Sequence, residues 1–311
     1  MKTFTLANAS CQVTLLDLGA RLIDWQVDVA GKSRHIVLAY PNIEDYLDDN
    51  FYLGAVCGPY ANRLAKGQVK TTNSLFSVTR NDGENHLHGG SSGFDKQIWR
   101  VTEKKADSIL FEYQHADGQD GYPGPICISV EYRLTANSLT MDMRCSVDKP
   151  TIVGPTGHAY FNLNGTNSDL IGLDHYLQCN ARKVTPLASD GIPDGEERSL
   201  EQGALDFTQL KRLSSDPTLK ELDNNFVFDG APPCSTLTDI EQQLSLEVRS
   251  NYPAVQLYTG SFLSGQFKPN QGVCIEPHYG ANAPNRQNDY DWLAEPGTTW
   301  HKFIEYKLTV N

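Results

Sequence analysis

The sequence lacks several features that would point to common classes of protein. No stretch approaches the roughly 20 apolar residues of a membrane span, and the first 16 residues interleave polar with apolar side chains, unlike a secretory signal. No Cys-x-x-Cys pair occurs, and the seven cysteines are an odd number scattered through 311 residues. We therefore expect reduced, mostly buried thiols in a cytoplasmic protein.

Basic residues are also scarce relative to acidic ones. The chain has 26 Lys and Arg against 38 Asp and Glu, which gives a formal net charge of −12. Because phosphate backbones and anionic lipids carry the same sign, we expect neither nucleic acid nor a membrane surface as a partner. The Gly-rich segments do not match the patterns that cradle phosphates.

What the sequence does contain is apolar residues that recur with a period of two. The clearest run places Leu139, Met141, Met143, Cys145 and Val147 between polar residues. Such alternation indicates a strand with one face in a core. Further strand-like runs cover 11–18, 21–29, 108–115, 126–134, 244–248, 254–259 and 304–310.

Helical patterns are short by comparison, and we predict them only around 41–50 and 206–213. The 25 Gly and 16 Pro predict many turns, and a hydrophobic share of 39% suffices for a packed core. No repeat of fixed period and no low-complexity linker divides the chain. The sequence therefore predicts an all-β fold, a large antiparallel β-sandwich that forms one domain over residues 1–311.

Polar residues that folding does not require are clustered in turn-rich segments that interrupt the strand rhythm. These segments are 58–67, 85–90, 157–163, 222–226 and 274–278, and their candidate functional residues are Asn62, Arg63, His88, His158, Asp223 and Glu276. Two glycines follow His88 and would let the backbone pass close to a bulky group. Taken singly, a loop His or an Asn-Arg pair is more often a structural hydrogen-bonding group.

The remaining histidines carry less chemical context. We interpret His175 as structural, and His35, His115 and His301 have no neighbours that suggest chemistry.

One alternative chemistry is a metal site. It would use His86-x-His88 with His158 or with Glu276-x-His278, because imidazole and carboxylate are common ligands. The spacing supports this weakly, since the only carboxylate that follows His88 closely is Asp95.

Another alternative is a glycoside hydrolase, in which Asp223 and Glu276 would flank a sugar bond. This hypothesis leaves His88 and His158 without a role.

Seven motifs in order give the chain a more specific resemblance. They are Asn62-Arg63 with Ala65-Lys66-Gly67; Leu87-His88-Gly89-Gly90 with Gly93-Phe94 and Trp99; Asp120-Gly121-Tyr122-Pro123-Gly124; His158-x-Tyr160-Phe161-Asn162-Leu163; Leu222-Asp223-Asn224-x-Phe226; Val255-Gln256-Leu257-Tyr258-Thr259-Gly260; and Glu276. Together they resemble the aldose 1-epimerase (galactose mutarotase) family over residues 58 to 276, with weaker likeness at both ends.

The resemblance implies the large antiparallel β-sandwich of that family, and a reaction that interconverts the α and β anomers of a free aldose such as galactose or glucose. It implies no cofactor and no metal. His158 matches the family's general acid, which protonates the ring oxygen, and Glu276 matches the general base, which takes the proton from the C1 hydroxyl. Asn62, Arg63, His88 and Asp223 match residues that hold the sugar.

Acid-base chemistry explains why a His and a Glu suit this reaction. Opening a hemiacetal requires a proton at the ring oxygen while another leaves O1, and each positioned group contributes about 10²–10⁴-fold. An imidazolium can donate near neutral pH and a partly buried carboxylate can accept. Tyr258 or Phe262 offers an apolar wall for a sugar face, although core packing is the commoner role for either alone.

Three positions depart from the family pattern. Pro59 stands where Arg is common, Gly157 where Asn is usual, and His278 where Gln is frequent. We expect these departures to affect substrate preference, and His278 to shift the pKa of Glu276 or to contact a different hydroxyl.

The rival functions are a glycoside hydrolase, a non-catalytic sugar-binding module, and a relative that acts on phosphorylated hexoses. The acidic chain and the missing Arg at position 59 disfavour the last of these. We therefore expect a cytoplasmic monomer or homodimer whose partner is a small, free, uncharged sugar.

Overall fold

The regular secondary structure consists mainly of β-strands. The computed structural model describes residues 1–71, 74–200, 203–228, 234–286 and 291–311. In chain order, the strands of these ranges are β1 (Thr3–Ala7), β2 (Cys11–Leu16), β3 (Arg21–Val29), β4 (Lys32–His35), β5 (Val56–Cys57), β6 (Arg63–Leu64), β7 (Gln68–Lys70), β8 (Leu75–Ser77), β9 (His86–Leu87), β10 (Arg100–Lys104), β11 (Ser108–His115), β12 (Ile126–Thr135), β13 (Ser138–Val147), β14 (Thr151–Ile152), β15 (Thr156–Gly157), β16 (Tyr160–Phe161), β17 (Tyr176–Cys179), β18 (Lys183–Thr185), β19 (Arg198–Ser199), β20 (Lys211–Arg212), β21 (Asp223–Val227), β22 (Cys234–Thr238), β23 (Leu244–Ser250), β24 (Ala254–Tyr258), β25 (Val273–His278), β26 (Leu293–Ala294) and β27 (Trp300–Val310).

Helical structure is limited to short 3-10 turns. Within the same ranges they are Ile43–Asp48, Ala65–Gly67, Phe94–Lys96, Gln119–Gly121, Gly172–Asp174, Leu213–Ser215, Pro217–Glu221 and Ala283–Asn285. None of the helices that the structure describes is long and apolar enough to cross a membrane.

Two large sheets and one smaller sheet organise these strands. The larger is a nine-stranded sheet in the order β10-β11-β12-β13-β27-β23-β22-β17-β20, and the second is a six-stranded sheet in the order β16-β25-β24-β21-β18-β19. A four-stranded sheet, β1-β2-β3-β4, precedes them. All pairs of neighbouring strands within the three sheets are antiparallel, which confirms the predicted fold class.

Alternation of apolar and polar residues explains the nine-stranded sheet. In β13 the side chains of Leu139, Met141, Met143, Cys145 and Val147 are buried, while those between them are mostly half-buried or exposed. Each long run predicted from the period of two contains a strand, with ends shifted by a few residues. One face of this sheet therefore packs in the core while the other meets solvent.

The core lies between the sheets. One cluster of buried apolar side chains draws on all three sheets, from Leu6 through Val130 and Leu257 to Leu308. The rings of Phe161 on β16 and Tyr306 on β27 lie 5.5 Å apart and join the inner faces of the two large sheets. The shared core agrees with one domain over residues 1–311, which stays a prediction.

The two helix predictions have different outcomes. A 3-10 helix at Ile43–Asp48 occupies the predicted segment 41–50, but the helix predicted at 206–213 is wrong. Asp206 accepts hydrogen bonds from the backbone N–H and the hydroxyl of Thr208, at 3.0 and 2.7 Å. This local turn competes with helix formation, and β20 then pairs with β17 at the edge of the nine-stranded sheet.

All seven cysteines are free, as predicted. Five are buried, Cys234 is half-buried, and Cys127 is exposed on the nine-stranded sheet.

Candidate active site

A cavity of about 170 Å³ lies beside the six-stranded sheet. It is smaller than the ~300–1,000 Å³ of sites for drug-sized ligands, so it suits one small molecule. Its lining residues are Asn50, Phe51, Tyr52, Asn62, Arg63, Leu87, His88, His158, Tyr160, Asp223, Gln256, Tyr258, Phe262 and Glu276. The cavity therefore brings together all six residues that the sequence predicted, although they span more than 200 positions of the chain.

Three neighbouring strands supply one wall. Asp223 begins β21, Gln256 lies in β24, and Glu276 lies in β25, where it pairs directly with Gln256 across the sheet. The Gln256 amide donates to Oδ1 of Asp223 at 2.6 Å. Antiparallel register thus fixes the order carboxylate, amide, carboxylate along the wall.

His158 faces Glu276 across the cavity. Its Nε2 lies 3.6 Å from Oε1 of Glu276, and the two residues are only 5% and 4% exposed. Burial lowers the pKa of His158 to about 4. Burial, reinforced by the charge of Asp223, raises the pKa of Glu276 well above its usual value, and Arg63 opposes this shift only in part. In the empty cavity these shifts favour a neutral imidazole beside a protonated carboxyl.

The backbone and a thiol set the orientation of His158. Its N–H donates to the carbonyl of Ala55 at 2.9 Å, and its carbonyl accepts from Gly54 at 3.0 Å. Nδ1 lies 3.7 Å from Sγ of Cys274. Because Nδ1 is occupied on the protein side, Nε2 is the ring atom directed at Glu276.

Two residues whose backbone is in the left-handed region form the opposite wall of the cavity. Asn62 has φ of 64° and His88 has φ of 52°, which are uncommon values for residues other than glycine. The Asn62 N–H donates to Nδ1 of His88 at 3.3 Å, and the Asn62 amide donates to Gln256 at 3.2 Å. Gly89 permits this turn, because a Cβ there would lie 1.8 Å from the carbonyl of Gly58.

These contacts define the state of His88. Burial, with smaller contributions from His158 and Arg63, holds the pKa of His88 well below its usual value, so the ring is neutral. Since Nδ1 accepts a hydrogen bond, the proton of the neutral ring is assigned to Nε2. His88 is therefore a hydrogen-bond donor towards the cavity.

The same assignment bears on metal binding. One donor atom from each of His88, His158 and Glu276 lies within 4.8 Å of the others, close to a metal-ligand arrangement. Metal binding at Nε2 of His88 would move the ring proton to Nδ1, which accepts from the Asn62 N–H, and would therefore cost that hydrogen bond. The three residues fit a hydrogen-bonding site better than a metal site.

The metal hypothesis that used His86 is wrong. The ring nitrogens of His86 contact the carbonyl of Thr79 at 2.6 Å and the hydroxyl of Tyr122 at 2.7 Å. His86 is fully buried and does not line the cavity, because the chain turns sharply at His88.

Arg63 adds the one cationic side chain of the described cavity wall. Its Nε donates to Asp82 at 2.7 Å, and a Cβ at Gly191 would lie 2.7 Å from its Nη1. The turn at 189–191 therefore packs closely over the guanidinium.

The three departures from the family pattern lie outside the cavity lining. His278 is fully buried, with Nδ1 accepting from the N–H of Gly280 at 3.0 Å and Nε2 lying 3.2 Å from the Asn225 amide. A Cβ at Gly157 would lie 2.9 Å from the hydroxyl of Tyr306 in the core. The expectation that His278 contacts a sugar hydroxyl is therefore wrong.

Tyr258 and Phe262, the two aromatic residues expected to form an apolar wall, differ in how much of their side chains is exposed. Tyr258 is buried, whereas the side chain of Phe262 is 73% exposed at the cavity mouth. Phe262 therefore does not pack in the core.

Sequence reasoning missed Gln256 and Tyr52. Gln256 had a usable signal, because it is a polar residue between Val255 and Leu257 in an apolar strand. Tyr52 had none, since its importance depends on rings that approach it from distant segments: its centroid lies 4.6 Å from that of His88 and 5.8 Å from that of His158.

A larger cavity of about 640 Å³ lies on the outer face of the nine-stranded sheet, between Arg100, Cys127 and Arg144. The charged groups of this cavity, Arg100 and Arg144 among them, are exposed, so it lacks the desolvated acid-base pair of the smaller one.

Comparisons with known proteins identify the family of this chain. The family model described as aldose 1-epimerase matches residues 2–307. The aldose 1-epimerase of Escherichia coli K12 is 32% identical over 97% of this chain and 93% of its own length. Human galactose mutarotase is also 32% identical, over 97% of this chain and 94% of its own.

Solved structures give the same result. The aldose epimerase homologue of C. elegans superposes with a TM-score of 0.93 at 27% identity, covering 99% of both chains. Galactose 1-epimerase of Lactobacillus acidophilus superposes with a TM-score of 0.86 at 27% identity, covering 99% of this chain and 94% of its own. Because the family model matches residues 2–307, this chain belongs to the aldose 1-epimerase family.

Proposed function

We propose that the protein is an aldose 1-epimerase that interconverts the α and β anomers of a free aldose such as galactose or glucose, with His158 as the general acid and Glu276 as the general base. The observation that carries the proposal is the 3.6 Å approach of His158 Nε2 to Glu276 Oε1 in a small, polar, desolvated cavity. Family membership supports the reaction class, an isomerisation.

His158 and Glu276 together hold one proton that is exchanged with the sugar, and this number is the same before and after a full reaction cycle. Ring opening moves a proton from His158 to the ring oxygen and another from O1 to Glu276, so the ion pair becomes a neutral pair. The C1–C2 bond rotates, and ring closure on the other face of the aldehyde reverses both transfers. Burial favours the neutral pair, which is the state of the protein once the ring has opened. To begin ring opening from the empty cavity, the proton held by Glu276 passes to His158, 3.6 Å away.

The other polar groups of the cavity suit the hydroxyls of an uncharged sugar. Asn62, Arg63 and His88 offer N–H donors, while Asp223 offers an acceptor, and Gln256 provides both. Such a set replaces the water of a small polyol without leaving buried groups unpaired. We infer that Asn62, Arg63, His88, Asp223 and Gln256 hold the sugar.

The pKa shifts predict a broad pH range of activity. Activity requires the pair to hold one proton, and apparent values belong to the pair. A second proton is added as the pH falls through the pKa of His158, about 4, and the single proton is lost as the pH rises through the raised pKa of Glu276. The initial rate, corrected for the uncatalysed rate, should therefore be flat near neutral pH and fall on both sides.

Polarimetry of freshly dissolved α-glucose and α-galactose tests the function. The enzyme should accelerate the approach to the equilibrium rotation and produce no new sugar. A rate equal to the uncatalysed one for several aldoses would leave a sugar-binding module, and release of sugar from a glycoside would indicate a hydrolase. The monomer or homodimer state and the cytoplasmic location stay predictions.

A further inference from the structure

Tyr52 has features that the proposed acid, base and sugar-holding residues do not explain. It lines the cavity, its ring contacts the rings of both His88 and His158, and its φ is 55°. A bulky side chain in the left-handed region is a true outlier, and such strain of about 1–3 kcal/mol concentrates at functional sites.

The strained turn is fastened to the backbone of His158. The N–H of Gly54 donates to the His158 carbonyl at 3.0 Å, and the N–H of His158 donates to the Ala55 carbonyl at 2.9 Å. The N–H of Ala55 donates to the Tyr52 carbonyl at 2.9 Å. One hydrogen-bonded network therefore sets the positions of Tyr52 and His158 together.

A buried ion pair holds the other side of the turn. Arg21 Nη1 donates to Asp49 at 2.7 Å and to the carbonyl of Leu53 at 2.8 Å, while Asp49 accepts from the N–H of Leu53 at 2.9 Å. Both charged side chains are 0% exposed. Because Leu53 follows Tyr52 directly, these contacts keep Tyr52 from relaxing its backbone.

The hydroxyl of Tyr52 is available to a ligand. It makes no hydrogen bond to any residue within the ranges that the structure describes. Burial raises the pKa of Tyr52, so the hydroxyl stays protonated and can donate.

We propose that Tyr52 is a substrate-contacting and positioning residue, whose hydroxyl binds a hydroxyl of the sugar and whose ring holds the imidazoles of His88 and His158 in place. The inference rests on the proposed function and adds a residue to its site. The two roles predict different losses, because the hydroxyl acts in binding and the ring acts on the acid.

The variant Tyr52→Phe tests the hydroxyl. A neutral hydrogen bond contributes about 0.5–1.5 kcal/mol, so KM for galactose should rise about 2–12-fold while kcat and the melting temperature stay near the parent values. Tyr113→Phe is the matched control, since the Tyr113 hydroxyl donates to Gln119 at 3.3 Å on the nine-stranded sheet and does not line the cavity. It should keep the parent KM.

The variant Tyr52→Leu tests the ring. Loss of positioning should lower kcat about 10-fold or more, and entry of water beside His158 should move the acidic limb of the pH profile to higher pH. Parent values of KM, kcat and pH profile in both variants would overturn the proposal, even with a lower melting temperature. If Tyr52→Leu does not fold, the KM of Tyr52→Phe for galactose decides the test: a raised KM supports the proposal and a parent KM overturns it.

Calorimetry separates this inference from the proposed function. Galactose binding is measured in Glu276→Gln and in the double variant Glu276→Gln with Tyr52→Phe. Weaker binding in the double variant supports the contact whether or not Glu276 proves to be the base, and equal binding contradicts it. Full activity of Glu276→Gln would instead remove the proposed base.

Discussion

The two large sheets place their polar residues in opposite ways. On the nine-stranded sheet, most charged side chains face solvent and form ion pairs at the surface, such as Arg133 with Glu131 at 2.6 Å, although His115 and Lys302 are buried. In the six-stranded sheet, β24 and β25 are buried on both faces and still contain Gln256, Glu276 and His278.

Burying a polar group is costly unless it is hydrogen-bonded, and burying a charge is more so. The surface ion pairs of the nine-stranded sheet therefore follow from folding alone, whereas Glu276 in the six-stranded sheet requires a chemical explanation. The sharpest tests of this comparison change the same residue type in both sheets.

The largest expected effect comes from Glu276→Gln. Removing the proposed base should lower kcat by about 10²–10⁴-fold. The fold should persist, because a neutral amide replaces a carboxyl whose pKa burial already raises. Glu247→Gln on β23, where the carboxylate contacts Arg249 at 2.8 Å on the outer face, is the control and should keep full activity by polarimetry. If Glu276→Gln and Glu247→Gln lowered kcat equally, buried carboxylates of the six-stranded sheet would have no special role in the reaction.

His158→Asn follows, with an expected loss of at least about 10²-fold in kcat. The partner experiment is His301→Asn on β27, where Nε2 lies 2.7 Å from Asp142 at the surface. We expect His301→Asn to retain the parent rate, since that imidazole is partly exposed and does not line the cavity. Near-normal mutarotation by His158→Asn would contradict the acid assignment.

A smaller effect is expected for Gln256→Leu, which removes the amide between Asn62 and Asp223. An unpaired Asp223 and a lost sugar contact should reduce kcat/KM about 10-fold, mainly through KM. Gln178→Leu on β17 removes an exposed amide that contacts the carbonyl of Thr208 at 3.1 Å, and should leave both constants unchanged. Initial-rate measurements over a range of galactose concentrations distinguish the two.

The smallest effect is expected for Arg133→Gln. Arg133 bridges Asp107 at 3.0 Å and Glu131 at 2.6 Å on the outer face. Exposed pairs contribute about 0–1 kcal/mol, so the free energy of unfolding from denaturant titration should fall by less than about 1 kcal/mol. A larger loss, or any loss of activity, would show that the outer face is more than a solvated surface.

Local pattern predicted the strands well and the short helices less well. The alternation from Leu139 to Val147 is contained in ten residues and needs no distant partner, so it predicts β13 directly. The helix prediction for 206–213 was wrong for two reasons. The side chain of Asp206 accepts a hydrogen bond from the backbone of Thr208, and the residues that follow form β20, which pairs with the distant strand β17.

The candidate site shows the same division. Motifs in order selected His158, Glu276 and the four proposed sugar-holding residues, and the structure places all six on one cavity. No motif distinguished the roles of His86 and His88, which share a spacing of two yet point to different surroundings because His88 is left-handed.

The sequence by itself determined the fold class, the strand positions and the family, because these follow from alternation and motifs that are local in the chain. Only the tertiary structure decided which side chains meet: the 3.6 Å contact of His158 with Glu276, the donor state of His88 and the strained placement of Tyr52. These depend on the register of strands far apart in sequence and on the exclusion of water between them, and neither quantity is encoded in any short segment.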